Sequence, residues 1–361
     1  MQNNQAIPLN KENFKQIFSK EFAWVIIVSI PGAFIADYFN VPLAWFLGPM
    51  LVTSVVSLGG VKTKMPRLVL STVLIFLGLY IGNYVDKNLF SQIHQWVWTS
   101  LIMLAYIIVS VLLVSKYLQK FSGYGKKTSV FSAAPGALGP LLILAEDEKS
   151  DLSQVATAHL IRLIIIITVF PFVVNSFHDT ENIKIVETIT ENQNILHLLI
   201  LIALSIVLII VFDKLKIPAA LLAGTLVASG FLQISEIASY KLPSNIIDYC
   251  LLILGSSVGC RFADKTFKEI AKNTVHSFVA TLFLVFLGLV AAFVAGLVID
   301  KNFFTLLLSY CPGGIYEVAV IAIFFDLDPE FVSFHHIIRL LMILFVVPII
   351  LKFVYRNKKP A

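Results

Sequence analysis

The sequence predicts an all-α polytopic membrane protein made of two inverted repeats, each with about five transmembrane helices and one discontinuous helix at a Pro-Gly pair. Three observations predict this fold: the apolar composition, a motif that occurs twice, and the placement of basic residues between apolar segments. The chain is 58% hydrophobic and 14% charged, whereas soluble chains are about 45–50% apolar and about 25% charged. A single soluble core of 361 residues could not bury this apolar surface, so lipid must cover part of it.

Twelve apolar segments divide the chain into two halves. They cover residues 22–39, 42–58, 68–81, 96–117, 129–145 and 155–177, and then 195–212, 218–232, 246–258, 276–299, 303–325 and 332–355. A full membrane span needs about 20 residues, so several of these segments are expected to be tilted, broken or only partly inserted. The predicted organisation is a cytoplasmic tail 1–21, a repeat 22–178, a polar linker 179–194, a repeat 195–356 and a cytoplasmic tail 357–361.

The repeated motif places a Pro-Gly pair ahead of a His and an Arg that are three residues apart. Its two copies are Pro135, Gly136, His159 and Arg162, and Pro312, Gly313, His336 and Arg339. Corresponding residues lie 177 positions apart in all four cases. Self-similarity at a fixed separation is the sequence signature of a repeat architecture, and it predicts that polar groups gather at two equivalent places in the membrane.

The basic residues predict how the repeats are oriented, because positively charged loops favour the cytoplasm. They cluster in the stretches 62–67, 116–127, 214–216, 261–272 and 352–359. If neither Pro-Gly segment changes sides, all five stretches fall inside and the linker falls outside; if both cross, the stretch 261–272 falls outside. We therefore expect about ten full crossings of the cell inner membrane, with both termini in the cytoplasm.

The Pro-Gly pairs are expected to interrupt helices, because Pro removes a backbone donor and Gly tolerates unusual backbone angles. Irregular backbone at membrane depth survives only against protein or a watery cavity, and exposed helix ends attract ions. Inverted repeats with broken helices are the layout of many secondary transporters. The alternative is that each pair only kinks a packing helix.

The charged side chains suggest a ligand site. Arg162 and Arg339 are expected to hold an anionic substrate group or a carboxylate, with the neighbouring His residues able to exchange protons; alternatively, the arginines extend to lipid headgroups. Glu317, with Pro140 at the matching place in the first half, is expected to carry a coupling proton or sodium ion. A simple ion pair between Glu317 and one of the arginines is equally open.

The predicted ligand-binding set contains the motif residues of both copies and two further residues of the second. Its members are Pro135, Gly136, His159, Arg162, Pro312, Gly313, Gly314, Glu317, His336 and Arg339. We expect no enzymatic activity, no cofactor, no metal and no nucleic-acid partner. The expected partners are the lipid bilayer and a small molecule or ion, and assembly with identical copies is open.

With these residues in place, the chain resembles the duplicated AbrB-type membrane protein family. The resemblance rests on Pro312, Gly313, Gly314, Glu317, Asp328, His336, Arg339 and Pro348, and on their weaker echo in the first half. It implies labels such as ammonia monooxygenase or AbrB family regulator of gene expression. Three functions are considered. The first expectation, drawn from the duplication, the Pro-Gly breaks and the charged residues, is a proton- or sodium-coupled transporter or exporter of a small anionic or zwitterionic metabolite. The family labels add a membrane sensor that affects expression indirectly and, more distantly, a membrane monooxygenase, which would need a copper site.

Overall fold

The computed structural model describes residues 11–85, 89–136, 138–177, 195–237 and 245–355, and within these ranges its regular structure is entirely helical. The predicted all-α class is therefore confirmed. The helices are α1 (Lys11–Ile17), α2 (Lys20–Tyr38), α3 (Ala44–Leu58), α4 (Arg67–Gly82), α5 (Leu89–Phe121), α6 (Lys126–Ala133), α7 (Leu138–Asp147), α8 (Leu152–Phe177), α9 (Ile195–Lys214), α10 (Ala220–Ser235), α11 (Asn245–Cys260), α12 (Phe267–Gly296), α13 (Phe303–Tyr310), α14 (Ile315–Phe324) and α15 (Pro329–Tyr355).

Within the described ranges, six helices are long and apolar enough to cross a membrane, judged by length and composition, so the chain has the character of a multi-pass membrane protein. They are α2, α5, α8, α9, α12 and α15. The shorter apolar helices α3, α4, α10 and α11 have 15 or 16 residues each, just under the usual span. The predicted linker 179–194 and tail 357–361 lie outside the described residues.

The chain forms two compact units that each draw on both sequence halves. One unit, called here the glycine-packed unit, takes its described residues from 1–89, 171–266 and 323–330. The other, called the broken-helix unit, takes them from 90–170, 267–322 and 331–361. The boundaries follow three-dimensional contacts, and both units combine segments that are far apart in the sequence.

In the glycine-packed unit, helices from one half of the chain pack on helices from the other: α3 against α11, and α4 against α10. Glycines make these contacts close. A Cβ atom at Gly78 would lie 2.5 Å from the carbonyl oxygen of Leu222, and one at Gly255 would collide with the carbonyl group of Phe46. Small residues let helix backbones approach in this way, and the two contacts are compatible with the predicted duplication.

In the broken-helix unit, two helices are interrupted at the predicted places. The segment 129–145 becomes α6 and α7, and the segment 303–325 becomes α13 and α14. Both α6 and α13 have eight residues, and the residues after them, Ala134 and Cys311, share an extended backbone with ψ near 130°. The Pro-Gly pairs therefore end helices, and the alternative of a simple kink is wrong.

Helix α5 holds the second broken helix and α15 in place. The Tyr310 hydroxyl donates to the carbonyl oxygen of Thr99 at 2.7 Å, and the Thr99 hydroxyl bonds Nε2 of His335 at 2.7 Å. The His335 ring also packs on Phe331, with ring centroids 4.1 Å apart. These contacts fix the start of α15, which carries His336 and Arg339.

The hairpin of α6 and α7 is tied at its open end to the start of α8. The ammonium group of Lys127 lies 2.5 Å from a carboxylate oxygen of Glu148, and the backbone N–H of Asp151 donates to the Thr128 hydroxyl. The Asp151 carboxylate accepts from the backbone N–H of Gln154 at 3.0 Å, which caps the first turn of α8. Helix α8 then carries His159 and Arg162 back toward the break.

Candidate functional site

Arg162 binds the end of the first broken helix. Its Nη1 donates to the carbonyl oxygen of Ala134 at 2.5 Å, and its Nη2 donates to that of Ser132. His159, one turn earlier on α8, contacts the carbonyl oxygen of Phe131 through Nε2 at 2.9 Å. A helix leaves its last carbonyls without helical partners, and here a His and an Arg satisfy three carbonyls at the end of α6.

Arg339 repeats this arrangement at the second broken helix. Its Nη1 donates to the carbonyl oxygen of Cys311, and its Nη2 donates to that of Gly313 at 2.6 Å. His336 contacts the carbonyl oxygen of Leu308 through Nε2 at 3.0 Å. In both copies the histidine Nε2 contacts the carbonyl oxygen of the residue 28 positions earlier in the chain. The arginine Nη1 likewise donates to the carbonyl oxygen of the residue 28 positions before the arginine. A positive charge at the carboxyl end of a helix is also favoured by the helix dipole.

The two arginines are fully enclosed by protein, since Arg162 is 2% exposed and Arg339 is 0% exposed. This burial excludes the alternative that they extend to lipid headgroups. In both residues Nε has no hydrogen-bond partner although it is buried. A buried N–H without a partner is costly, so each guanidinium retains one donor that a ligand could satisfy.

The two breaks meet at Gly136 and Arg339. Gly136 has a φ of +113°, a conformation that favours glycine. A Cβ atom at Gly136 would lie 3.0 Å from Nη2 of Arg339 and 3.4 Å from its Nε. The guanidinium of the second half therefore lies against the open backbone of the first half's break.

Glu317 lies in the first turn of α14 and is 1% exposed. Its carboxyl group folds back onto Gly314, where it occupies the space that a Cβ atom would need: such an atom would lie 2.8 Å from Cδ of Glu317. A carboxylate in the first turn of a helix is stabilised by the helix dipole. Glycine at position 314 thus makes room for the carboxyl group at the start of α14.

Among the described residues, the buried Asp, Glu, Lys and Arg side chains are Arg162, Glu317 and Arg339. All three belong to the broken-helix unit. Two guanidinium cations and one carboxylate give this set a formal excess of one positive charge, whatever partner the carboxylate has. Burying such an excess in a membrane protein is expensive and marks a candidate site.

Tyr106 on α5 is a member of the site that the sequence did not single out. It is buried, its hydroxyl donates to the carbonyl oxygen of Leu284 at 3.4 Å, and it lies near both arginines. Tyr106 lies in an apolar run and belongs to neither copy of the repeated motif, so no sequence pattern distinguishes it from an aromatic residue that only packs.

The structure brings most of the predicted residues together. His159 and Arg162 lie at the first break, and His336, Arg339, Gly313, Gly314 and Glu317 lie at the second, with Gly136 in contact with Arg339. Pro135 and Pro312 are buried at the breaks. Among the described residues, His, Cys, Asp and Glu side chains form no group of three or more that could hold a metal ion.

Comparison with known proteins places the chain among bacterial relatives of similar length. A family model described as "Transition state regulatory protein AbrB" matches residues 2–87 and 45–355. "Putative regulator AbrB" of Escherichia coli (strain K12) is 25% identical over 337 residues, 89% of this chain and 93% of the relative. "Uncharacterized protein YhjN" of Bacillus subtilis (strain 168) is 20% identical over 349 residues, 90% of this chain and 91% of the relative. No solved structure matches the chain.

Proposed function

The chain belongs to the AbrB family, and we propose that it is a secondary transporter or exporter of a small anionic or zwitterionic metabolite, driven by protons or sodium ions. The observation that carries this proposal is the pair of buried arginines, one at each broken helix, whose Nε atoms lack partners.

The broken helices support transport more than a purely structural role. Non-helical backbone is tolerated within a membrane where it is covered by protein or lines a polar cavity. In many secondary transporters the solute binds between the ends of discontinuous helices. Here the ends of α6 and α13 carry the arginines, and α7 and α14 begin directly after the breaks.

The charge of the site favours an anionic group on the solute. The excess of one positive charge among Arg162, Arg339 and Glu317 would be balanced by one carboxylate or similar group. Arginine suits this role, because its planar guanidinium recognises carboxylates and phosphates. A zwitterion would place its carboxylate in the same position.

Glu317 is the residue that we assign to ion coupling. It is the buried carboxylate of the site, and intramembrane carboxylates commonly mark proton or ion pathways. The first half has Pro140 at the corresponding position, so the asymmetry fits one coupling position per chain.

Flux through proteoliposomes tests the proposal. Purified protein should accumulate radiolabelled carboxylic acids or amino acids when a pH or sodium gradient is imposed. Arg339→Ala and Glu317→Gln should abolish this flux, whereas Lys116→Gln, at an exposed position on α5, should retain it. Absence of flux for every solute would contradict transport, and wild-type flux in both site variants would remove these residues from the mechanism.

The names of the family and of the Escherichia coli relative favour a second function, a membrane sensor that influences gene expression indirectly. In that case the same site would bind its ligand without moving it. Copurification of a signalling partner, together with ligand binding and no flux, would support the sensor over the transporter.

A further inference from the structure

We propose that the anionic group of the ligand is a single carboxylate and that it binds at the amino end of α7, next to Gly136 and the Nε atom of Arg339. This inference rests on the proposed function, because the ligand is taken to be the transported solute. It names the place of binding and the charge of the group that binds there.

The two halves of the site differ in one respect, and that difference locates the ligand. At the start of α14 the protein supplies its own carboxylate, Glu317, at the third residue of the helix. At the start of α7 the third residue is Pro140, which has no acidic group. The amino end of a helix attracts negative charge, so the first half lacks the anion that the second half contains.

A donor is already in place beside α7. A Cβ atom at Gly136 would lie 3.4 Å from Nε of Arg339, and this Nε is buried without a hydrogen-bond partner. Because Gly136 carries no side chain, the guanidinium lies directly against the backbone of the break, and α7 begins two residues later. Arg339 thus caps its own broken helix through Nη1 and Nη2 and offers Nε to the ligand.

The charge balance sets the valence of the group. While Glu317 is ionised, before it takes up a coupling ion, one monovalent carboxylate brings the formal sum of Arg162, Arg339, Glu317 and ligand to zero, whereas a dianion leaves a buried negative excess. Monocarboxylates and zwitterions with a free carboxylate are therefore the favoured ligands, and dicarboxylates are disfavoured.

The experiment uses acetate as the probe and fills the proposed place with a side chain. Pro140 is exposed, so Pro140→Glu should fold, and it places a carboxylate in the first turn of α7, at the helix position that Glu317 holds in α14. Pro140→Gln is the matched neutral control. The apparent melting temperature of the full chain in detergent is measured against acetate and against succinate at constant ionic strength.

Wild type and Pro140→Gln should gain stability with the logarithm of acetate concentration, because acetate prefers the folded protein. Succinate should stabilise them less. Pro140→Glu should need about tenfold more acetate or more for the same rise. An equal acetate response in both Pro140 variants, or no response in wild type, would overturn the site. Elution of each variant as a single peak on size exclusion shows that the comparison concerns folded protein.

Flux distinguishes this inference from the proposed function. Wild-type transport without the expected difference between the Pro140 variants would overturn the carboxylate site and leave transport standing. Acetate binding with that difference, but without flux of any solute, would keep the site and contradict transport.

Discussion

Nδ1 of His336 lies 2.9 Å from Nη2 of Arg339, while Nε2 of the same ring lies 3.0 Å from the carbonyl oxygen of Leu308. Arginine can only donate and a carbonyl can only accept. His336 therefore holds its proton on Nε2 and uses Nδ1 as an acceptor, which is a neutral ring. The expectation that this histidine exchanges protons is not favoured by its hydrogen bonds.

We predict that His336→Gln retains the function of the site and its pH dependence, because a side-chain amide can also donate to the carbonyl oxygen of Leu308 and accept from Arg339. His336→Leu should lower the free energy of unfolding by about 1–3 kcal/mol, since polar groups at the break lose a partner. Thermal unfolding and proteoliposome flux at several pH values measure both effects. Loss of pH dependence in a stable His336→Gln protein would show that the ring carries the proton.

We predict that Arg162→Met lowers the free energy of unfolding by about 1–3 kcal/mol for each of the two carbonyls left without a donor, those of Ser132 and Ala134. Arg162→Lys should lose less, because it keeps the charge but not the planar fork. Unfolding in detergent gives the comparison. Equal stability of all three proteins would mean that the arginine does not cap α6.

Arg162→Met should also change how the stability of the protein responds to sodium ions. Carbonyls at the carboxyl end of a broken helix are the groups that coordinate cations in transporters, and in the wild type the guanidinium of Arg162 occupies them. At equal concentration, the stabilisation by sodium chloride relative to choline chloride should therefore be larger in Arg162→Met than in wild type. An identical response of both proteins would contradict a cation-like role for Arg162.

Gly255→Ala should destabilise the glycine-packed unit by about 1–3 kcal/mol, the usual cost of overpacking, because the new methyl group collides with the carbonyl group of Phe46. The control is Gly296→Ala, where a Cβ atom would meet only a Leu306 methyl carbon at 3.5 Å. Its stability should change by less than about 1 kcal/mol. Similar melting temperatures for the two variants would show that the α3–α11 contact tolerates a larger separation.

The orientation of the chain remains a prediction from its basic residues, and a reporter tests it. A phosphatase fused in the linker near Glu187 should be active, because the linker is expected outside, whereas the same reporter at the carboxyl terminus should be inactive. An active reporter at the carboxyl terminus together with an inactive reporter in the linker would show that the chain has the opposite orientation. An inactive reporter at both positions would contradict the inverted arrangement of the two repeats.

Much of this architecture could be predicted from composition and spacing. Proline and glycine end helices by local backbone chemistry, so the breaks after Ala133 and Tyr310 follow from the residues beside them. The apolar segments gave approximate helix positions, but α12 begins at Phe267 rather than near His276, because polar residues at a membrane surface can continue a helix. The short helix α1 within the expected tail had no apolar signal.

The partners of the arginines could not be predicted, because they are backbone carbonyls, which every residue possesses. Spacing related Arg162 to Arg339 but did not show that they bind Ala134 and Cys311. The approach of Arg339 to Gly136 joins the two halves of the chain, and a contact of this kind depends on tertiary packing. The same holds for Tyr106, whose aromatic character alone resembles that of many lipid-facing residues.

In the glycine-packed unit, helices from the first half of the chain pack on helices from the second half, and this pairing has a consequence for biosynthesis. The face of α4 that carries Gly78 fits α10, and the face of α3 at Phe46 fits α11, yet α10 and α11 leave the ribosome more than a hundred residues later. Helices α3 and α4 must therefore remain in the bilayer without their close-packing partners until α10 and α11 have been inserted. The unit is completed late in translation, and a chain cut at the linker would yield two fragments that each depend on the other.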